Sequence, residues 1–253
     1  MTMSATTALP VRPVLHAEWI KIRSVRASFG SLLSIPLVTV AISLLVGATV
    51  GQDEADSLGP DRLSGAFYAL NFGQIAAIAF GTTTLAAEFH NGALRTSLTA
   101  VPDRTRFFLS KIGVLGFAAL LLGQAATFVS FLGGQALMGS QAIGLGDEGA
   151  LRATVGGGIY LALMALLAAG LTALLRSGVA VLSLLIPFIL IVSFIIGDMA
   201  GGAAQYLPDR AGQLVLQQDP QGSLGPWAGL AVTALWAVAA LAAGWAALRR
   251  RDA

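Results

Sequence analysis

Charged residues are spaced so that six long stretches of the chain carry none: 29–50, 66–87, 112–135, 153–175, 177–197 and 227–248. Each is long enough, as a helix, to cross a hydrocarbon core, which takes roughly 20 apolar residues. The stretches are rich in Leu, Ala, Val and Ile and lack the two-residue alternation of a barrel strand. Helices therefore satisfy their backbones better than a barrel would. The pattern predicts an all-α polytopic membrane protein with six transmembrane helices. Only Arg176-Ser177-Gly178 separates the fourth and fifth stretches, which predicts a tight hairpin. Pro36 and Pro187 fall inside spans, where a proline frees a carbonyl and bends the helix, either as fixed shape or in the service of motion.

Composition agrees. Of 253 residues 56% are hydrophobic and 11% charged, against about 25% charged in an ordinary soluble domain. Mean hydropathy is +0.78. A net charge of +2 is too small for a nucleic-acid binder of this size. With no cysteine, disulfides, thiolate metal sites and Cys nucleophiles are all excluded. His16 and His90 are far apart in sequence, which argues against a His-rich metal site.

The connectors set orientation. If both termini share a side, that side holds 12 of the 15 basic residues and only four of the 13 acids, Glu18, Glu88, Asp103 and Asp252. The positive-inside rule puts it, with both termini, in the cytoplasm. The first span is too long, and starts too late, for a cleaved signal sequence, so it is expected to be retained.

Three segments outside the spans are more than simple loops. Residues 1–12 read as a flexible N-terminus and 249–253 as a basic cytoplasmic tail. Between 13 and 28, Leu15, Trp19, Ile22 and Phe29 fall at helical steps on one face, with His16, Lys21, Arg23 and Ser24 largely off it and Arg26 following. That predicts an interfacial amphipathic helix, the alternative being a basic flank that only sets topology. Residues 88–111 hold a helix stop at His90-Asn91-Gly92, a short helical run 93–100 with Leu94 and Leu98 one turn apart beside Arg95, a break at Val101-Pro102, and Asp103 as an N-cap. Such a segment either transmits force from a soluble partner or is a solvated loop. In the outer segment 198–226, Leu214, Val215 and Leu216 are too apolar for a free loop. They predict a short re-entrant or surface helix over 209–218, or packing on the mouth of the bundle.

Chemistry is conspicuous by what is missing. Neither Lys21 nor Lys111 follows a phosphate-cradling glycine loop, and no Gly-x-Ser-x-Gly or His-Glu-x-x-His occurs. No enzyme activity, catalytic residue, metal or cofactor is therefore expected in this chain. Gly156-Gly157-Gly158 and the Ala240-Gly244-Ala247 face read as close-packing surfaces. Polar uncharged residues at depth include Asn71, Gln74, Thr82, Gln124, Thr127, Ser183 and Ser193. Such groups either line a path or hydrogen-bond between helices; Asn71, Gln74, Thr82, Phe188 and Ser193 are the candidates for a path.

AEWIKIRSVRAS (17–28), EFHNGALRTSLTAVPDRTRFFLSK (88–111) and YLPDRAGQLVL (206–216) together resemble the permease subunits of ABC-2 type exporters, the first in the form found in actinobacterial members. The resemblance covers essentially the whole chain. It implies a type V exporter-like fold in a bacterial cytoplasmic membrane, with an interfacial connecting helix before span 1. It also implies a coupling helix between spans 2 and 3 that docks on a separate ATP-binding subunit, present in two copies and holding ATP and Mg. A second permease chain, identical or different, would complete the seam. By match, Glu88, Gly92, Leu94, Arg95, Leu98, Pro102 and Arg106 belong to the coupling segment, and Leu15, Trp19, Lys21, Ile22, Arg23 and Arg26 to the interfacial helix. Two alternatives from other classes stand beside this expectation: a membrane scaffold or assembly protein, and a self-sufficient secondary transporter. The transported substrate cannot be read from the residues.

Overall fold

A computed structural model describes residues 11–50, 61–90, 92–139, 142–192, 195, 201–220 and 222–251. Among them there are helices and no strands. Helix α1 (Val11–Ser24) bends at Val25 into α2 (Arg26–Val50), which runs through Pro36 without a break. A five-residue helix α3 (Arg62–Ala66) leads into α4 (Leu70–Ala86), which tightens to a 3-10 turn over Ala87–Phe89. The short α5 (Ala93–Ala100) precedes the 34-residue α6 (Arg104–Leu137). Then come α7 (Ala150–Leu175) and α8 (Gly178–Pro187), a 3-10 turn Gly201–Tyr206, α9 (Pro208–Gln213) with a 3-10 turn Leu214–Leu216, and α10 (Pro226–Arg250).

Four of these helices, within α2, α6, α7 and α10, are long and apolar enough to cross a membrane. That is the expected signature of a membrane-embedded chain. The predicted stretch 66–87 forms the 17-residue α4 plus its 3-10 turn. The stretch 177–197 forms α8 and then widens to a π-helical turn over Phe188–Val192, directly after Pro187. A proline has no N–H to donate and crowds the carbonyl four residues back, and a π turn accommodates both defects. Ser193 and Asn91 lie outside the described residues, as do residues 1–10 of the expected flexible terminus and Asp252.

Helix α7 is the hub. It packs against α10, α6 and α4; α2 lies over α4 and α6, and α8 over α4 and α7. Two-thirds of the most apolar window of α7 is buried, against about a fifth for α2, so α7 is surrounded by protein while α2 presents most of its surface outward. Small residues permit the close approaches. A Cβ on Gly81 of α4 would strike the Ala165 carbonyl of α7. One on Gly170 would sit 2.5 Å from the Leu241 nitrogen, and one on Gly244 2.6 Å from Ala173 Cβ. The three successive glycines of α7 meet three different neighbours: Gly156 receives Val215, Gly157 faces Leu70, and Gly158 faces Gln124. The expected packing role of both small-residue faces is therefore what the fold uses.

The local stops also follow the sequence. Asp103 caps α6 by accepting from the Thr105 and Arg106 amides at 2.9 and 3.3 Å. Ser177 caps α8 after Arg176 takes a left-handed conformation, φ 53°, which closes the predicted hairpin. The outer helix is shorter than the 209–218 expected, and Leu214, Val215 and Leu216 are buried against α7 and α10 rather than entering lipid. Of the basic tail, α10 takes in Arg249 and Arg250, Arg249 lies over Trp245, and the Arg251 guanidinium donates to the Leu174 carbonyl at 2.9 Å.

Wedging the hub apart should therefore destabilise the whole bundle. Gly244→Leu is expected to lower stability by about 1–3 kcal/mol, the usual cost of overpacking a filled interface. Thermal melting of the detergent-purified chain, beside Gly30→Leu at a position with open space around it, measures the difference.

Candidate functional site

The chain contains two lysines, and both belong to one buried cluster. Lys111 of α6 donates to Glu18 Oε2 at 2.8 Å and to Glu88 Oε1. Lys21 donates to Glu18 Oε1 at 2.8 Å, Glu88 Oε1 at 3.1 Å and Ser97 Oγ at 3.0 Å. The Ser97 hydroxyl in turn donates to Glu88 Oε2 at 2.8 Å. Two ammonium groups thus balance two carboxylates, and every one of these charged atoms has a hydrogen-bonding partner.

Four elements contribute, and each does so for a local reason. On α1, Val14, Glu18 and Ile22 form the inward stripe at four-residue steps, and Lys21 falls beside it. Glu88 comes from the 3-10 turn that ends α4. After it, His90 turns extended, with its ring Nδ1 2.9 Å from the Ala86 carbonyl oxygen. Gly92 follows at φ 73°, a left-handed conformation natural to glycine, and starts α5 in a new direction. Leu94 is buried beneath α5, which turns Ser97 toward the cluster. Lys111 lies two turns into α6, with its side chain only 3% exposed.

At Glu88 and Lys21 burial penalises the charge, and the partners outweigh it. For Glu88, burial pushes the carboxyl up, but the Lys111 ammonium by charge and hydrogen bond, with Lys21 and Ser97, holds it below 4.5. For Lys21, burial pushes the ammonium down, but the hydrogen bond and charge of Glu18, then those of Glu88, hold it above 10.5. Beside the cluster is a cavity of about 320 Å³, lined in part by Ser28, Thr84, Glu88, Thr96 and Ser97.

The sequence-derived residues divide accordingly. Glu88 is in the cluster, and Gly92 sets the turn. Leu94 belongs to the chain's own core, and Leu98 is partly buried against it. Arg95, Thr96, Thr99 and Ala100 form the exposed side of α5; Pro102 is exposed and Arg106 half-buried at the start of α6. On α1 the single apolar face is corrected as well. Ile22 points inward, Leu15 and Trp19 are exposed at the edge, and Lys21, expected off the buried face, is drawn in by two carboxylates. Arg23 and Arg26 are exposed. Glu18 and Lys111 were not singled out in the sequence; for Lys111 the available signal is that an Arg-rich chain keeps only two lysines, Lys21 and Lys111.

At the opposite end of the bundle lies a second polar site. The Tyr160 hydroxyl donates to Gln74 Oε1, and Gln213 Nε2 donates to Asn71 Oδ1 at 3.2 Å and to the Tyr160 oxygen at 3.4 Å. Asn71, Gln74 and Gln213 border a cavity of about 750 Å³ whose walls include Tyr68, Phe72, Gln205 and the buried Asp209. Asn71 and Gln74 thus hydrogen-bond to other elements, one of the two roles left open by the sequence, and they also border this cavity. Thr82 is instead enclosed against the start of α8, near Gly178. Phe188 packs on the core at the π turn. Gln124 donates to the Val155 carbonyl at 2.8 Å and serves helix contact.

The chain matches no family model and no curated protein sequence.

Removing one cluster member strands charge. Lys111→Met leaves two buried carboxylates with one ammonium and is expected to cost about 3–5 kcal/mol. Adding Glu88→Gln restores the balance and should recover part of that loss in a double-mutant cycle read by thermal melting. A second prediction concerns pH. A carboxyl held low stabilises the fold above 4.5 and loses that effect as pH falls through its folded value; a lysine held high does so below 10.5 and loses it as pH rises. Cluster stability should therefore be flat from about pH 5 to about pH 10. Melting curves showing a step between pH 6 and 8 that Glu88→Gln abolishes would contradict this assignment.

Proposed function

We propose that this chain is the membrane-spanning permease subunit of an ATP-driven exporter of the ABC-2 type. In this reading it crosses the membrane six times, with α4, and α8 and its π turn, adding two passes to the four long helices. Helix α4 rises about 25 Å over its 17 residues, a little short of the roughly 30 Å core, and the turn over 67–69 before it extends it. The end bearing α1 and α5 faces the cytoplasm because it holds 12 of the 15 basic residues. The membrane is then the bacterial cytoplasmic membrane, with both termini inside.

The observation that carries the proposal is the buried cluster. A force applied to the exposed side of α5 reaches Ser97, Glu88, Lys21, Glu18 and Lys111 through direct hydrogen bonds, and so reaches α1, α4 and α6 together. A free loop would dissipate such a push. Arg104 strengthens the same end by donating to the Leu248 and Arg251 carbonyls at 2.8 and 2.7 Å, which ties the start of α6 to the end of α10. With no phosphate-binding loop in the chain, the push is supplied by an ATP-binding partner subunit, two copies of which act on a pair of permease chains. The cavity at the far end, bordered by Asn71, Gln74 and Gln213, is then the outward mouth of the path. The chain itself performs no catalysis and holds no cofactor.

Affinity purification from the native membrane should recover an ATP-binding subunit with this chain. Thr99→Asp combined with Ala100→Asp, on the exposed side of α5, should reduce that recovery at least tenfold while leaving the melting temperature within 2–3 °C, since surface substitutions away from structural features usually change stability by less than about 0.5 kcal/mol. Undiminished capture, or a chain that purifies with no ATPase from cells grown at several conditions, would count against the exporter reading.

A further inference from the structure

On the side away from the salt-bridge cluster, α1, α2 and α6 enclose an apolar groove of about 700 Å³. Leu15 and Trp19 form its α1 wall, Phe29, Leu32 and Leu33 its α2 wall, and Val114, Phe117 and Leu121 belong to its α6 wall. Phe117 and Leu121 are 64% and 53% exposed, so the groove opens outward along the span. Its chemistry is almost purely aliphatic and aromatic, and Gly113 removes a side chain from its α6 side.

The α1 wall has charged ends. Arg12, Leu15, Trp19 and Arg23 follow at steps of three, four and four residues, which is one stripe of a helix. Both arginines are exposed, one a helical turn beyond each end of the apolar pair. The stripe cannot roll away from the groove, because Glu18 and Lys21 hold the opposite side of α1 in the buried cluster. We infer that this groove is a binding site for anionic phospholipid, with acyl chains against Trp19, Phe29 and Phe117 and headgroup phosphates at the arginines that end the α1 stripe, Arg12 and Arg23, about 16 Å apart.

Charge complementarity selects the occupant. A second copy of this chain would bring an apolar helix to the groove and leave both arginines unanswered, whereas an anionic headgroup meets them at the depth where Trp prefers to lie. The inference needs only a membrane-embedded chain and is independent of the exporter assignment. Its consequence is regulatory: lipid occupancy loads the outer side of the same helix whose inner side holds the cluster.

Trp19 reports the site directly. In a chain retaining Trp19 alone, with Trp227, Trp236 and Trp245 replaced by Phe, reconstituted in phosphatidylcholine vesicles, brominated phosphatidylglycerol should quench Trp19 at least twice as strongly as brominated phosphatidylcholine at equal mole fraction. Arg12→Gln with Arg23→Gln should remove the preference, and Gly113→Phe, which fills the groove, should reduce quenching by both lipids. Since three Trp replacements can themselves weaken the fold, native mass spectrometry of the unaltered chain with the same two lipids gives a second reading: retained phosphatidylglycerol that is lost in the Arg12/Arg23 variant. Equal quenching by the two lipids, or a Trp19 shielded from both in a cross-linkable dimer, would overturn the inference, the latter in favour of a second copy in the groove.

Discussion

Charge cannot be left alone in a medium of low dielectric, and at the α1–α5 end of this bundle that constraint decides the architecture. Glu18, Glu88 and Lys111 are each almost fully buried, and any one of them unpartnered would cost several kcal/mol. The solution is neutral in sum and cross-linked in pattern: each ammonium binds both carboxylates. Because the members come from α1, the end of α4 and α6, separation of any of these elements exposes a deficit in the others. A cluster of this kind is a poor source of net stability compared with an apolar core, but it is selective about geometry. Sliding one helix by a turn, about 5.4 Å, would break several bonds together.

The rest of the bundle has the opposite character. Around α7 the contacts are made by glycine and alanine against backbone, as at Gly81 with Ala165 and Gly170 with Leu241. In lipid no hydrophobic force drives apolar helices together, so close approach and dispersion must hold them. Such contacts resist separation and tolerate little bulk. The result is a densely packed middle, with cavities of about 320 and 750 Å³ placed at its two ends. Gln74 and Tyr160 join the two regimes, since their hydrogen bond links α4 to α7 at the edge of the outer cavity.

Much of this was legible along the chain because it depends on residues close in sequence. Asp103, Ser177 and Gly92 act within a few positions of themselves, and the glycine runs of α7 announce close packing whatever the partner. The buried cluster was not legible, because Glu18 and Lys111 are 93 positions apart and nothing near either shows that the other faces it. Their neighbours even mislead: Lys21 lies beside Arg23 and Arg26 and looks like one more exposed cation. Leu94 and Leu98 illustrate a different limit. A helix of eight residues has too few turns to show which edge is inward, and only the packing of Leu94 beneath α5 fixes it. The widening after Pro187 was half legible, since a proline announces a defect but not whether the helix kinks or takes a π turn.

Helix α1 is where these constraints meet. Its sequence must serve two solvents across 14 residues, with Glu18 and Lys21 turned to a buried ionic cluster and Leu15 and Trp19 turned to an apolar groove. Neither side alone would hold it: the ionic contacts need α4 and α6 in register, and among the described residues Leu15 and Trp19 are left part-exposed at the groove. Because one short, rigid helix carries both, a displacement of α6 relative to α4 must either be followed by α1 or break the cluster. Breaking the cluster would bury uncompensated charge, so following is the lower-energy course, and α1 moves with the elements to which its acids are bound. A displacement imposed on α5 would, through the same bonds, bear on the α1 wall of the groove, to which no α5 residue contributes.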